Sequence, residues 1–307
     1  RSQMEKFEIS ILGCGCAVPT MRHNPAAQIV NFRHKLFMID CGEGTQLQYR
    51  RRRLPFARLQ AVFISHLHGD HCLGLVGMIS TFALLGRTAP LHVYAPAEFE
   101  PILQDQIDFF VGKSAFEVPF HPIDTKQTQV IYEDRSLTVT SLPLLHRVPC
   151  CGFLFREKPS LPHIKREMID FYKIPHYAIN SIKQGADWTT PEGDIIPNHR
   201  LVFAGDAPRS YAYCSDTAYY PSLCESLKGV NLLYHEATFA EDMVERARLV
   251  GHSTARQAAQ IARVAEVGKL LLGHFSARYE DETVLLQEAQ EVFPNAILAH
   301  EGLCISL

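Results

Sequence analysis

Ser65-His66-Leu67-His68-Gly69-Asp70-His71 packs three imidazoles and a carboxylate into one short stretch, directly after the apolar run Leu59 to Ile64. An apolar run of that length bounded by a turn reads as a buried strand, so four ligand-type side chains stand on one strand-to-helix turn. That pattern points to a metal site. Neutral imidazole suits Zn²⁺, and a carboxylate among imidazoles also fits a hard or borderline divalent ion. The carboxylate has a second use beside a metal, since it can orient or deprotonate a bound water. The simpler reading is a polar loop in which histidines cluster by chance, and ligand groups at this density at a strand end argue against it.

His66-Leu67-His68-Gly69-Asp70-His71 resembles the HxHxDH signature of the metallo-β-lactamase superfamily, whose members hydrolyse esters, amides and phosphodiesters. The motif implies the superfamily and leaves the substrate open.

At 307 residues the chain can be one large domain or two ordinary ones, with ample length for a core. Apolar residues make up 47% of it, but no uninterrupted run approaches the ~20 residues of a membrane span, so a soluble protein with no membrane partner is expected. Arg1-Ser2-Gln3 ahead of Met4 reads as an expression remnant, and nothing after Met4 resembles a secretory signal, which favours the cytoplasm. Nine cysteines without regular spacing do not make a disulfide framework in a chain of this size. Cys14-x-Cys16 and Cys150-Cys151 lack CxxC spacing and read as reduced, small core residues rather than ligands. The net charge of −3 does not decide for or against nucleic acid, because phosphate binding depends on a local basic face. Two such faces are available: the run Arg50 to Arg53, and Arg156 to Lys183, where six basic residues stand against three acidic ones.

Phe7 to Leu12, Gln28 to Asn31 and Leu36 to Ile39 read as an N-terminal β-meander ending in Asp40-Cys41-Gly42-Glu43-Gly44-Thr45. A carboxylate there can support a metal-bound histidine; a capped turn before a helix over Thr45 to Arg53 is the alternative. Helices are expected over Leu73 to Leu85 and Ala97 to Phe110, with a strand at Leu91 to Ala95 between them. Strands at Phe116 to His121, Gln129 to Glu133 and Leu137 to Leu142 lead to His146. From Arg156 to Arg200 prolines, basic residues, Tyr172, Tyr177 and Trp188 replace clear periodicity, as in an insertion projecting from the body. Strands are expected to resume at Leu201 to Ala204, Tyr211 to Cys214, Leu232 to Tyr234, Lys269 to Leu272 and Ile297 to Leu298. The helices among them are Glu241 to Val250, Ser253 to Val264 and Glu282 to Val292. The order suggests an α/β fold with two packed sheets and helices outside. The resemblance implies a four-layer αββα sandwich with two mixed β-sheets, a single domain over 4–307 with 156–200 as an inserted arm.

A second metal needs ligands from the second half, which offers Asp206 or Asp216, then His235, His252, His274 and His300. His274 follows the buried-looking run Lys269 to Leu272 as His66 follows its own, and ranks above His300. Phe203-Ala204-Gly205-Asp206 and Tyr213-Cys214-Ser215-Asp216-Thr217 both place a carboxylate after a strand, and the pattern alone does not choose between them.

Ile11-Leu12-Gly13-Cys14-Gly15-Cys16-Ala17-Val18-Pro19-Thr20, Asp40 to Gln46, His235-Glu236-Ala237-Thr238-Phe239 and Gly251-His252-Ser253-Thr254-Ala255 look like motifs of the ribonuclease Z family of tRNA 3′-processing endonucleases. The last two resemble its HEAT and HST loops, and the likeness runs from about Phe7 to the C-terminus. It implies Asp216 as the aspartate shared by two metals, with Ser215 where the family usually has glycine. It further implies that His66, His68 and His146 hold one Zn²⁺ and Asp70, His71 and His274 the other, two per subunit, with Mn²⁺ as an alternative ion. Asp70 would orient or deprotonate the attacking water, and His252 steered by Glu236 would protonate the leaving 3′-oxygen. The insertion resembles the family's tRNA-clamping arm, with Lys165, Arg166 and Lys173 as phosphate contacts and Arg22, Arg50 and Arg51 as further ones. The implied activity is zinc-dependent phosphodiester hydrolysis that removes 3′ trailers from precursor tRNA and leaves a 3′-hydroxyl, in a cytoplasmic homodimer. Two rivals stand beside it. One is another superfamily hydrolase, a small phosphodiesterase, an arylsulfatase-like enzyme or a thioester hydrolase; the other is an RNA-binding scaffold without turnover.

Overall fold

Strand alternation at the N-terminus builds the first sheet of the computed structural model, which describes residues 4–307 and leaves Arg1-Ser2-Gln3 outside the described residues. Its seven strands run in the order Cys304–Ser306, Phe7–Gly13, Ala27–Phe32, Lys35–Cys41, Leu59–Phe63, His92–Pro96, Phe120–Ile123. The meander half is antiparallel, and from Lys35–Cys41 onward each neighbour is parallel. Parallel neighbours require crossovers, which is where the helices sit. The second seven-stranded sheet runs Ala296–Leu298, Lys269–Gly273, Leu232–Glu236, Ser210–Cys214, Cys151–Glu157, Leu137–Pro143, Gln129–Glu133, and its first four strands are parallel. Parallel strands end at one edge, so the loops after Leu59–Phe63, Ser210–Cys214, Leu232–Glu236 and Lys269–Gly273 can supply one site.

Aromatic side chains join the sheets. Phe63 lies 5.5 Å from Phe153 and 5.6 Å from Phe155, and Phe37 lies 6.1 Å from Phe155, all ring to ring and all fully buried. Each such side chain contributes about 1.5–3 kcal/mol by leaving water. Outside the first sheet, Leu75, Met78, Ile79 and Phe82 of helix Leu75–Leu84 share a cluster with Met38, Val62 and Val93. Outside the second, helix Ala255–Val264 buries Ala258, Ala259, Ile261 and Ala262 and packs on Leu232–Glu236 and Lys269–Gly273. This is the metallo-β-lactamase sandwich of two mixed sheets flanked by helices.

Residues 133–138 and 156–209 form a second compact unit. Its small core consists of Ile174, Ala178, Ile182, Ile196 and Leu201, with Met168, Tyr172 and Trp188 packed against it. Helices Arg166–Tyr172 and Ile179–Lys183 and the hairpin Trp188–Thr189 with Ile195–Ile196 supply Met168, Tyr172, Ile182, Trp188 and Ile196, while Ala178 and Leu201 come from the short turns His176–Ala178 and Asn198–Leu201. Val202–Phe203 pairs with His163–Ile164, so the stretch expected as a strand of the resumed body, Leu201 to Ala204, belongs to this unit.

Three other elements differ from expectation. The helix expected over 73–85 is preceded by a separate turn, Gly69–Cys72, and runs Leu75–Leu84. Gly74 marks the break because its N–H donates to the Cys41 carbonyl and a Cβ there would lie 2.0 Å from the Gly42 oxygen. The helix expected over 97–110 is regular only at Phe99–Gln106 and widens to a π-turn at Ile107–Val111. The strand expected at 116–121 lies at Phe120–Ile123. No helix among the described residues is long and apolar enough to cross a membrane.

Candidate metal centre and active site

The site is built on Asp40, a fully buried carboxylate at the end of its strand with a left-handed φ of 57°. Its Oδ1 accepts from the Ser65 N–H at 2.8 Å. Its Oδ2 accepts from Ser65 Oγ at 2.9 Å, His71 Nδ1 at 2.7 Å and Tyr213 OH at 2.7 Å. One carboxylate thus fixes the loop carrying the histidine motif and turns His71 so that Nε2 faces inward. Ser65 Oγ also lies 2.9 Å from His66 Nδ1, His146 Nδ1 donates to the Gly251 carbonyl at 2.7 Å, and His274 Nδ1 sits 3.1 Å from Thr238 Oγ1. Every imidazole held this way keeps Nε2 for another task. The Nε2 atoms of His66, His71, His146 and His274 are buried and have no hydrogen-bond partner. Orphaning a buried polar atom costs about 1–3 kcal/mol, and four aimed at one carboxylate fit a cation cradle.

That carboxylate is Asp216, whose two oxygens divide the histidines. Oδ2 lies 3.4 Å from His66 Nε2 and 3.7 Å from His146 Nε2, whereas Oδ1 lies 3.4 Å from His71 Nε2 and 3.1 Å from His274 Nε2. Two ligand groups result: His66, His68, His146 and Asp216, then Asp70, His71 and His274. Asp70 Oδ2 is 3.3 Å from His71 Nε2 and 3.7 Å from His274 Nε2, and accepts from the Ala17 N–H at 3.0 Å. Ligands about 2.0–2.2 Å from a shared ion stand roughly 3.3 Å apart, close to these spacings. Ser215 Oγ donates to Asp216 Oδ1 at 2.7 Å, which gives the serine a role that glycine could not fill.

Charge supports the same use. Burial opposes ionisation of Asp216, but His274, His71 and His66 outweigh it and hold its carboxyl well below the usual range. Asp70 is also held low, burial being outweighed by the nearby His274 and His71 imidazoles. Burial opposes the charged forms of His71 and His274, yet Asp216 and the other partners raise both well above the ordinary histidine value. His146 goes the other way, to about 4, because burial dominates there. The buried anions demand positive charge, which a cation would supply in place of protons.

Beside the cradle, Glu236 Oε1 accepts from His252 Nδ1 at 2.7 Å and the Thr217 N–H at 2.8 Å. Its Oε2 accepts from the Ser253 N–H at 3.1 Å and Thr238 Oγ1 at 2.5 Å. Both oxygens are saturated, so Glu236 orients His252 rather than ligating, although the two lie close to Asp216 and His274. Burial lowers the His252 pKa and Glu236 more than restores it, leaving it raised. The His252 ring is 5.1 Å from that of His146 and 5.3 Å from that of His274. It also lines a cavity of about 590 Å³ with His146, Arg147, Tyr219 and Arg248.

The remaining candidates lie elsewhere. His235 is buried with Nδ1 on the Glu236 carbonyl, and His300 is exposed with Nδ1 3.2 Å from the Glu301 carbonyl. Arg22 donates to the carbonyls of Tyr279 and Glu280, at 2.5 and 2.7 Å, so its guanidinium pins a loop. Arg50 lies over the Phe56 ring at 5.6 Å, and Arg51 donates to Gln48 Oε1 at 2.6 Å. Lys165, Arg166 and Lys173 belong to the second unit, as does Asp206; Lys165 lies over the Phe203 ring at 5.2 Å. Tyr213, Thr238 and the Cys16 thiol, which sits against His274, are site residues that sequence reasoning missed. Contact across the sheets reveals Tyr213 and Cys16, and contact between the loops of neighbouring strands reveals Thr238.

The beta-lactamase superfamily domain model matches residues 35–163. Ribonuclease Z of Bacteroides fragilis is 60% identical over 304 residues, covering 99% of this chain and 100% of that protein. Ribonuclease Z of Porphyromonas gingivalis is 49% identical with the same coverage. Among solved structures, the short form of human tRNase Z superposes with a TM-score of 0.69 at 22% identity, covering 97% of this chain and 98% of that one, a likeness of fold. The Glu236 and His252 loops lie inside the full-length match and beside the cradle, and on that match the chain belongs to the ribonuclease Z family.

Proposed function

We propose that this chain cuts precursor tRNA on the 3′ side of the discriminator base, removes the 3′ trailer and leaves a 3′-hydroxyl on the tRNA. The observation that carries the reading is the Glu236–His252 pair beside the cradle. A sugar oxygen is a poor leaving group and needs a proton as it departs, and a histidine held by a buried carboxylate is built to give one. Relatives named ribonuclease Z, at 60% and 49% identity over almost the whole chain, support the same substrate.

His66, His68, His146 and Asp216 would hold one divalent cation, and Asp70, His71 and His274 the other, with Asp216 reaching both. The imidazole-rich set favours zinc, with manganese as the alternative. Such a pair, when bound, supplies charge for the phosphodiester oxygens and lowers the pKa of the attacking water. The protein's own groups do the rest. Asp70, placed among the ligand groups of one cation, would orient the attacking water or accept its proton. Glu236 fixes His252 Nδ1, leaving Nε2–H as the donor to the 3′-oxygen at the cavity wall. Arg147, Arg248 and Tyr219 offer the strand two cations and a stacking face there. The second unit would grip the tRNA through Lys165, Arg166 and Lys173, in a cytoplasmic homodimer.

The test is incubation of the metal-loaded chain with a 3′-extended precursor tRNA, with both product ends mapped. One cut after the discriminator, absent in Asp70→Ala, is the expected result. No cut, with hydrolysis of a small phosphodiester intact, would mean that another superfamily activity occupies the site.

A further inference from the structure

A second ligand-type cluster lies outside the active centre. Cys14 Sγ is 3.4 Å from His23 Nδ1 and 3.5 Å from Glu301 Oε1, and His23 Nδ1 is 2.9 Å from Glu301 Oε2. Glu282 Oε1 hydrogen-bonds the far ring nitrogen, His23 Nε2. Cys14 is fully buried, whereas the His23 and Glu301 side chains are each 12% exposed, so the cluster is reachable from solvent on one side. We propose that Cys14, His23 and Glu301 bind a divalent transition-metal ion of the zinc type, separate from the active-centre pair, with Glu282 orienting His23.

Three observations carry this. First, a sulfur at about 2.3 Å and nitrogen and oxygen donors at about 2.0–2.2 Å from one tetrahedral ion stand roughly 3.3–3.6 Å apart, and two of the three spacings fall in that range. The 2.9 Å contact runs from His23 Nδ1 to the other carboxylate oxygen, Oε2, so the carboxylate must turn slightly to present one oxygen to the ion. Second, a carboxylate on the outer nitrogen of a ligating histidine is the usual support of such a ligand, and Glu282 occupies that place. Third, the local charge is already arranged for exchange. Arg22 and a protonated His23 face Glu282 and Glu301, and burial together with Glu301 keeps the Cys14 thiol protonated. Binding would release the thiol proton and the His23 Nδ1 proton to water, and two protons for one divalent cation leave the charge unchanged.

The ion would fasten both ends of the chain. Glu301 precedes the strand Cys304–Ser306 and already accepts the N–H groups of Cys14 and Asn24, so the metal joins this segment to the loop after the first strand. Ala17 of that loop donates to Asp70, which ties the fastening to the active centre.

Titrating the metal-stripped full chain with Co²⁺ tests the assignment, because thiolate ligation gives a sulfur-to-cobalt charge-transfer band that imidazole and carboxylate ligation do not. The band is expected in the wild-type chain and in Cys16→Ala, and absent from Cys14→Ala and His23→Ala, which each bind one equivalent less. Retained tRNA cleavage by those two variants reports that they are folded. Glu282→Gln keeps all three ligands, and is expected to weaken cobalt binding at this band about ten- to a hundredfold. No band in the wild-type chain at saturating Co²⁺, a band that survives Cys14→Ala, or one that Cys16→Ala abolishes would overturn the proposal.

Discussion

Glu236 shows how one buried residue can set the charge state of another. Its four donors leave it no free acceptor, and its charge is what raises the His252 pKa above the ordinary value against the effect of burial. A general acid must be protonated to act, so activity should be lost as pH rises through the His252 value. Glu236→Gln removes the raising charge and is expected to move that alkaline limb of kcat to lower pH; an unmoved limb would sever the link between the two residues. Gly251 is a second such case. Its carbonyl holds His146, its φ is 74°, and a Cβ there would lie 2.9 Å from His146 Nδ1. Gly251→Ala is expected to lower both stability, by about 1 kcal/mol or more, and metal content, read by thermal melts and metal analysis. The candidate ligands His66, His68 and His71 were legible because the motif crowds them into one turn with Asp70, and His274 because it follows an apolar run, whereas His146 needed the family likeness. Asp216 needed the family likeness, since Asp206 also follows a short strand and nothing in its own sequence says that it falls in the second unit.

At the scale of elements, the loops after parallel strands are held by caps and buried carboxylates rather than by apolar packing. Thr254 starts helix Ala255–Val264 with a full capping box, its hydroxyl accepting from the Gln257 N–H while Gln257 returns a bond to the Thr254 N–H. Thr254→Ala is expected to cost about 0.5–2 kcal/mol and to loosen the His252 loop, lowering Tm and kcat together; a lower Tm with unchanged kcat would separate the cap from the catalytic loop. Asp40 does the same for the first sheet. Asp40→Asn leaves it with too few acceptor sites for its four donors, and a ten- to hundredfold loss of metal affinity is expected by equilibrium dialysis. Most strands were legible from apolar runs, because two packed sheets leave little exposed surface on strands such as Lys269–Gly273. Helix ends were not, because Gly74 breaks its helix through contact with Gly42, sequence-distant and invisible to periodicity. The second unit was legible as an insertion but not in extent, since its strand Val202–Phe203 pairs backward to His163–Ile164.

For the whole molecule, buried ion pairs tie stability to pH. In the metal-free chain Glu236 and Glu301 are depressed, so their contribution is present above the ordinary 4.5 and lost as pH falls through their lowered values. His23 is raised: burial opposes its charge, but hydrogen bonds to Glu301 and Glu282 outweigh it, so its contribution is full below 6.5 and lost as pH climbs through the raised value. The difference in urea stability between the metal-free wild-type chain and His23→Gln is therefore expected to be greatest between about pH 4.5 and 6.5 and to shrink as pH rises through the raised His23 value; a difference that grows above about pH 8 would contradict the sign. Reversing Lys165, Arg166 and Lys173 to Glu is expected to raise KM for tRNA and flatten its salt dependence while sparing small phosphodiesters. The most direct test of the account as a whole uses a precursor tRNA whose leaving 3′-oxygen is replaced by sulfur, which departs without a proton. His252→Ala is expected to cut the ordinary substrate about 10²- to 10⁴-fold more slowly and the sulfur substrate nearly as fast as wild type. An equal loss on both would contradict proton donation by His252, and with it the reading of the Glu236–His252 pair as the mark of a tRNA-cutting site.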